Sequence, residues 1–121
     1  RLFQQFEMRA QLLHRAIENI VRNALQHTPA GSKVEVNLHA AANGRLRIVI
    51  RDQGPGIAED QLPSIFEPFF RSSRSDATNA RGFGLGLAIA RRAIEAHGGS
   101  IAAENVADGG GLRVVIELPA N

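Results

Sequence analysis

The chain has 121 residues, 44% of them hydrophobic and 21% charged, with no Cys, Trp or Tyr. This suits one compact domain over residues 1–121 and excludes a disordered tail, a disulfide scaffold, a thiolate zinc site and a cysteine nucleophile. Fourteen Arg and Lys against twelve Asp and Glu leave only +2, so the pI near 10.4 reflects the lack of groups titrating between His and Arg rather than a strongly positive surface.

The arginines are scattered and few aromatics accompany them, which argues against nucleic-acid binding. Apolar runs of only a few residues leave no membrane-spanning segment, and no signal peptide is expected. From Leu12 to Leu25 the apolar residues recur at i, i+1, i+4 and i+5, the stripe of a core-facing helix that should stop near His27 to Gly31. Lys33 to His39 alternates Val34, Val36 and Leu38 with polar neighbours, as a half-buried strand does. Ala42 to Arg45 supplies a turn, and Leu46, Ile48 and Ile50 mark the hairpin partner. Leu2 to Met8 is read either as a truncated further strand or as the start of a chain from which earlier residues are missing.

Ala58 to Ile65 reads as a short helix ending before Pro68, and Arg71 to Arg81 as a mobile loop. Glycines at 82, 84 and 86 open a second helix that Gly98-Gly99 closes. Strands around Ser100 to Val106 and Leu112 to Leu118 follow, joined by a turn at Gly109-Gly110-Gly111. The expected fold is a two-layer α/β sandwich with helices on one face of a mixed, mostly antiparallel sheet.

Three polar features interrupt these segments. Asn19 and Asn23 lie one turn apart, with His27 a turn further, along one edge of the apolar stripe. Neutral amides there can ligate a hard cation or hydrogen-bond phosphate, or can simply be exposed helix residues. Asp52-Gln53-Gly54-Pro55-Gly56-Ile57 leaves a strand end, where a carboxylate can accept from an exocyclic amine and glycines admit close approach; an ordinary turn reads the same way. Gly82-Phe83-Gly84-Leu85-Gly86-Leu87 opens a helix with free amide N–H groups suited to an anion. It lacks the βαβ frame of a dinucleotide fingerprint.

Taken in order, Asn19-x-x-x-Asn23-Ala24, Asp52-x-Gly54-x-Gly56, Phe66-Glu67-Pro68-Phe69-Phe70-Arg71 and Gly82-x-Gly84-Leu85-Gly86-Leu87 resemble the catalytic ATP-binding domain of bacterial sensor histidine kinases. These are that family's N box, first glycine box, F box and second glycine box. The wording around Ala16 to Ala24 and Phe66 to Arg71 is most similar to envelope-stress sensors of the Cpx type.

The resemblance implies the Bergerat ATP-binding fold, with Asp52 taking the adenine amino group and Gly54, Gly56 and Ile57 shaping the base pocket. It places Asn23 on Mg²⁺, Asn19 on the metal and phosphate side, and His27 near the adenine. Residues 68–82 would be the ATP lid, with Arg71 reaching phosphate and Gly82, Gly84, Leu85, Gly86 and Leu87 forming the segment that wraps it. Asn19 and Arg71 are the catalytic candidates.

Hydrolytic relatives place a Glu where this chain has Asn19, and Glu18 points about 100° away around the helix. The resemblance therefore favours transfer of the ATP γ-phosphoryl group to a protein His over water activation. Gln26 stands where many relatives carry Lys, a departure that shifts phosphate binding toward Arg71. None of His14, His27, His39 and His97 has the context of an acceptor His. The expected acceptor lies on a separate dimerisation domain, which in turn serves a response regulator. The chain is thus expected to be a monomeric fragment of a bacterial inner-membrane sensor, on the cytoplasmic side. Two other readings are a conformational ATPase of the gyrase, MutL or chaperone class, and a degenerate module of the same fold that has lost ATP.

Overall fold

The structure, a computed structural model, describes residues 2–70, 86–107 and 110–119, with the side chains of 2–9 and of Asn43 outside the description. In chain order, helix α1 spans Leu2–His27, strands β1 and β2 span Glu35–Ala40 and Leu46–Arg51, and a 3₁₀ helix covers Glu59–Ser64. Helix α2 (Gly86–Ala96) and strands β3 (Ser100–Asn105) and β4 (Leu112–Leu118) complete the fold.

The apolar stripe of α1 continues back through Leu2 to Met8, which is helical and not the expected strand. That segment carries Gln, Glu and Met, holds no Gly, Pro or β-branched residue, and keeps its apolar positions at Leu2, Phe3 and Phe6. Among the described residues the sheet has the order β1-β2-β4-β3, and every pairing is antiparallel. No parallel pair appears where a mixed sheet is expected.

Ile48 and Ile50 of β2 and Leu112, Val114, Ile116 and Leu118 of β4 are buried, while their alternating neighbours are not. The helices therefore lie on one face. They contribute Ala16, Ile20 and Ala24 from α1 and Leu87, Ala90 and Ile94 from α2 to the same core. Six of the side chains (Ile20, Ile50, Ile65, Leu87, Ile94 and Ile116) are almost wholly buried. Each stabilises the fold by about 1.5–3 kcal/mol relative to exposure.

β1 departs from its alternating pattern. Its register sets Val36 opposite Ile50 and Leu38 opposite Ile48, on the core side. Yet Val36 is 48% and Leu38 64% exposed, because α1 packs over β2 and α2 over β3, and no described helix covers the edge strand. The 58–65 helix is 3₁₀ in geometry, with Pro63 inside it. Proline removes the donor that an α-helical ladder needs and leaves only tight i→i+3 bonds. α2 ends where Gly98, at φ +80°, reverses the chain and Gly99 N–H donates to Ile94 O at 2.9 Å. His97 Nδ1 also donates to the Ala93 carbonyl at 2.7 Å, capping the last turn.

Candidate functional site

β2 delivers Asp52 one residue past its end, and the chain then turns across the C-terminus of α1. Asp52 is 4% exposed, and the ladder continues through it: its N–H donates to Leu112 O at 2.9 Å. Its Oδ1 accepts two backbone N–H groups, from Gly54 at 2.9 Å and Leu112 at 3.0 Å. Oδ2 takes part in neither of these bonds.

The following segment is held on its other side by the end of α1. Gln53 N–H donates to Thr28 Oγ1 at 3.3 Å, and Lys33 N–H donates to Gln53 Oε1 at 3.2 Å. Gly54 lies so close to the His27 carbonyl that a Cβ there would collide with it. Gly56, at φ +78°, turns the chain into Ile57.

His27, Asp52, Pro55, Gly56, Ile57 and Leu112 surround a concave space at the end of β2. Burial of the His27 ring lowers its pKa below the usual 6.5, and the neighbouring Asp52 charge offsets this only in part. Near pH 7 His27 is thus held neutral beside this space.

This gives a prediction with a definite sign. The unfolded chain takes up the His27 proton before the folded one does, so the neutral ring's contribution is complete above about pH 6.5. It is lost as pH falls through the lowered value. Melting curves between about pH 7 and pH 5 should show His27→Gln losing less stability on acidification than the unaltered chain. Equal losses would place the ring in a solvated setting.

Asn19 and Asn23 occupy the neighbouring stretch of α1, where it packs against α2. Asn19 is half-buried and accepts from Arg22 Nη1 at 3.2 Å. A Cβ built on Gly86, the first described residue of α2, would meet Asn19 Cβ at 4.0 Å, so the N box and the second glycine box adjoin. Asn23 is 6% exposed, and its Oδ1 is buried with no hydrogen-bond partner among the described residues. An orphaned buried carbonyl oxygen is costly unless a ligand completes it, and a hard cation such as Mg²⁺ takes oxygen donors of this kind.

Of the other residues singled out in the sequence, Leu87 lies wholly in the core, so only its backbone is available to a ligand. Arg71, Gly82, Gly84 and Leu85 lie outside the described residues, as does the lid beyond Phe70. Phe66 is buried and Phe69, at φ +64°, is 74% exposed. Sequence reasoning missed Leu112, whose N–H holds Asp52, and Asn105, which bonds the Ile57 peptide. The only signs of them were the glycine run at 109–111 and a strand end.

The two-layer sandwich, the amides of α1 and the Asp52 loop define a class. Residues 8–121 match the family of histidine kinase-, DNA gyrase B-, and HSP90-like ATPases, and the chain belongs to that family. Within it, the relatives make this the ATP-binding catalytic domain of the sensor histidine kinase type. The chain is 45% identical over 115 residues to the sensor protein PfeS of Pseudomonas aeruginosa, covering 94% of this chain and 24% of that protein. It is 42% identical over 107 residues to the sensor histidine kinase CpxA of Escherichia coli K12, covering 88% and 22%.

Among solved structures, a mycobacterial sensor histidine kinase, MprB, superposes with a TM-score of 0.77 at 38% identity, covering 87% of this chain and 70% of that one. Full-length ShkA in complex with AMPPNP superposes at 0.73 with 33% identity, covering 89% and 21%. The chain thus spans about a quarter of the length of these two curated relatives.

Proposed function

We propose that this domain holds ATP with its adenine in the pocket beside Asp52 and donates the γ-phosphoryl group to a histidine on a dimerisation domain of its parent protein. The phosphoryl group passes from there to a response regulator. The observation that carries the reading is the division of labour at Asp52. Two backbone donors occupy Oδ1, and Oδ2 is left for the donor that adenine presents at its exocyclic amine.

Asn23, with its orphaned oxygen, would hold Mg²⁺ with Asn19 beside it. A metal held there would supply neutralisation of the phosphate charge. The glycines at 82, 84 and 86 would present N–H groups to the phosphates, and Arg71 would reach them from the lid over 68–82. An amide at position 19 has no general-base chemistry, so a bound water gains no activation there. Phosphoryl transfer needs positioning and charge stabilisation more than covalent help. The described residues include no helix long and apolar enough to cross a membrane. We place the domain on the cytoplasmic side of a bacterial inner-membrane sensor, monomeric when isolated.

Calorimetric titration with a non-hydrolysable ATP analogue, with and without Mg²⁺, tests the reading. Saturable binding strengthened by Mg²⁺ is expected. Asn23→Ala should lose the Mg²⁺-dependent increment while keeping metal-free binding of the base. No binding at millimolar ligand would sink the proposal, and an undiminished increment in Asn23→Ala would remove the metal assignment.

A further inference from the structure

Asn105, the last residue of β3, reaches from the edge of the sheet to the pocket loop. Its Oδ1 accepts from Ile57 N–H at 2.9 Å, and its Nδ2 donates to Ile57 O at 2.6 Å and to Glu59 Oε2 at 2.7 Å. One side chain thus satisfies both polar groups of a single residue and anchors the start of the 3₁₀ helix. This needs one acceptor and two donors in a planar fork, which a primary amide provides and a carboxylate or hydroxyl does not. A Cβ on Gly56 would come within 2.8 Å of Asn105 Oδ1, so the amide lies directly against the residue that turns the loop.

Asn105 is not itself among the residues lining the pocket. Its place in the register gives it leverage all the same. Across the β3–β4 ladder Asn105 is paired with Leu112, the residue whose N–H holds Asp52 Oδ1. Both ends of the loop from Asp52 to Ile57 are therefore fastened to one rung of a single hairpin.

We infer that Asn105 is a positioning residue of the nucleotide site: with Leu112 it sets the spacing between the Asp52 carboxylate and the Gly56–Ile57 wall, and so the fit of the base. This rests on the nucleotide reading of the pocket. The test is titration of the ATP analogue into the unaltered chain, Asn105→Leu, Asn105→Asp, and Asn105→Asp combined with Glu59→Gln, each checked for folding by its melting curve.

Asn105→Leu leaves the Ile57 peptide groups unpaired and is expected to weaken binding about tenfold or more. Asn105→Asp keeps the acceptor for Ile57 N–H but sets a carboxylate oxygen against both the Ile57 carbonyl and the Glu59 carboxylate. Its affinity, taken relative to the unaltered chain at the same pH to cancel titration of His27, should be about tenfold low near pH 8 and recover to about threefold low near pH 5, where a shared proton restores a donor. Adding Glu59→Gln supplies a donor to the new carboxylate at every pH and should recover part of the affinity near pH 8, the Ile57 carbonyl still lacking its donor. A merely structural asparagine predicts neither the pH recovery nor the rescue.

If the unaltered chain binds and Asn105→Asp matches it at both pH values, or shows a deficit that Glu59→Gln does not relieve, the role of Asn105 is overturned and the nucleotide site stands. Failure of the unaltered chain to bind would overturn both.

Discussion

Asp52→Asn is expected to abolish measurable ATP binding while leaving the melting midpoint close to that of the unaltered chain. The amide oxygen can keep the place of Oδ1, so the N–H groups of Gly54 and Leu112 retain their acceptor. The amide nitrogen then replaces Oδ2 and turns a donor toward the adenine amine, itself a donor. A site that rejects its ligand by opposing two donors loses affinity by about a hundredfold or more, near 2.7 kcal/mol. Asp52→Ala is the informative contrast. It strands two backbone donors at a residue only 4% exposed, at about 1–3 kcal/mol each, so it should lose stability as well as binding. Calorimetry and urea unfolding on the two variants separate these effects. Retained affinity in Asp52→Asn would mean that the base is read elsewhere.

The second large effect is expected at Gly111, in the turn between β3 and β4. Its φ is +102°, and a Cβ there would collide with the Asp52 carbonyl oxygen and approach Gln53 Cα to 3.3 Å. The obstructing atoms are backbone and cannot swing aside. Gly111→Ala should therefore cost about 3 kcal/mol or more, combining left-handed strain with displacement of the Asp52 segment. It should also weaken ATP binding, since Asp52 moves with its carbonyl. Gly110 is the control. Its φ is +76°, but an added Cβ would meet only Gly54 O at 3.7 Å, an ordinary contact. Gly110→Ala should cost about 1–2 kcal/mol, the conformational term alone. Equal losses in urea unfolding would show that the crowding at Asp52 has no consequence.

Elements that bury a regular stripe were legible in the sequence. The spacing of Ile20, Ala24 and their neighbours, and the alternation along β2 and β4, report burial directly because each periodic residue meets the same core. The strand expected at Leu2 to Met8 failed because a short stretch with two Phe and a Leu fits either period, and the helix-forming residues between them decided the outcome. The alternation of Val36 and Leu38 gave the strand and its facing but not its exposure, since a pattern cannot say which strand lies at the edge.

At the site, Asp52, Gly54 and Gly56 could be read because a carboxylate and glycines at a strand end are locally odd. The depth of Asn23 could not: it sits at the margin of the stripe, and its burial belongs to the assembled domain rather than to the helix pattern. Leu112 and Asn105 are marked locally by no more than a nearby glycine run and a strand end. Their roles come from strand pairing that brings residues 60 and 48 positions away to the loop.

Those separations bear on how the pocket comes into being. The bond from Asp52 to Leu112 closes 60 positions of chain and that from Ile57 to Asn105 closes 48, while Gln53 is tied to Thr28 across 25 in the other direction. No stretch of sequence shorter than Thr28 to Leu112 contains the whole loop and its fastenings. The loop-closure entropy of these contacts must be met before any of them can form. A partly folded chain therefore has no partial pocket to offer, and nucleotide selects the fully assembled sheet. Its binding free energy is added to the folding equilibrium of the entire domain rather than to one loop.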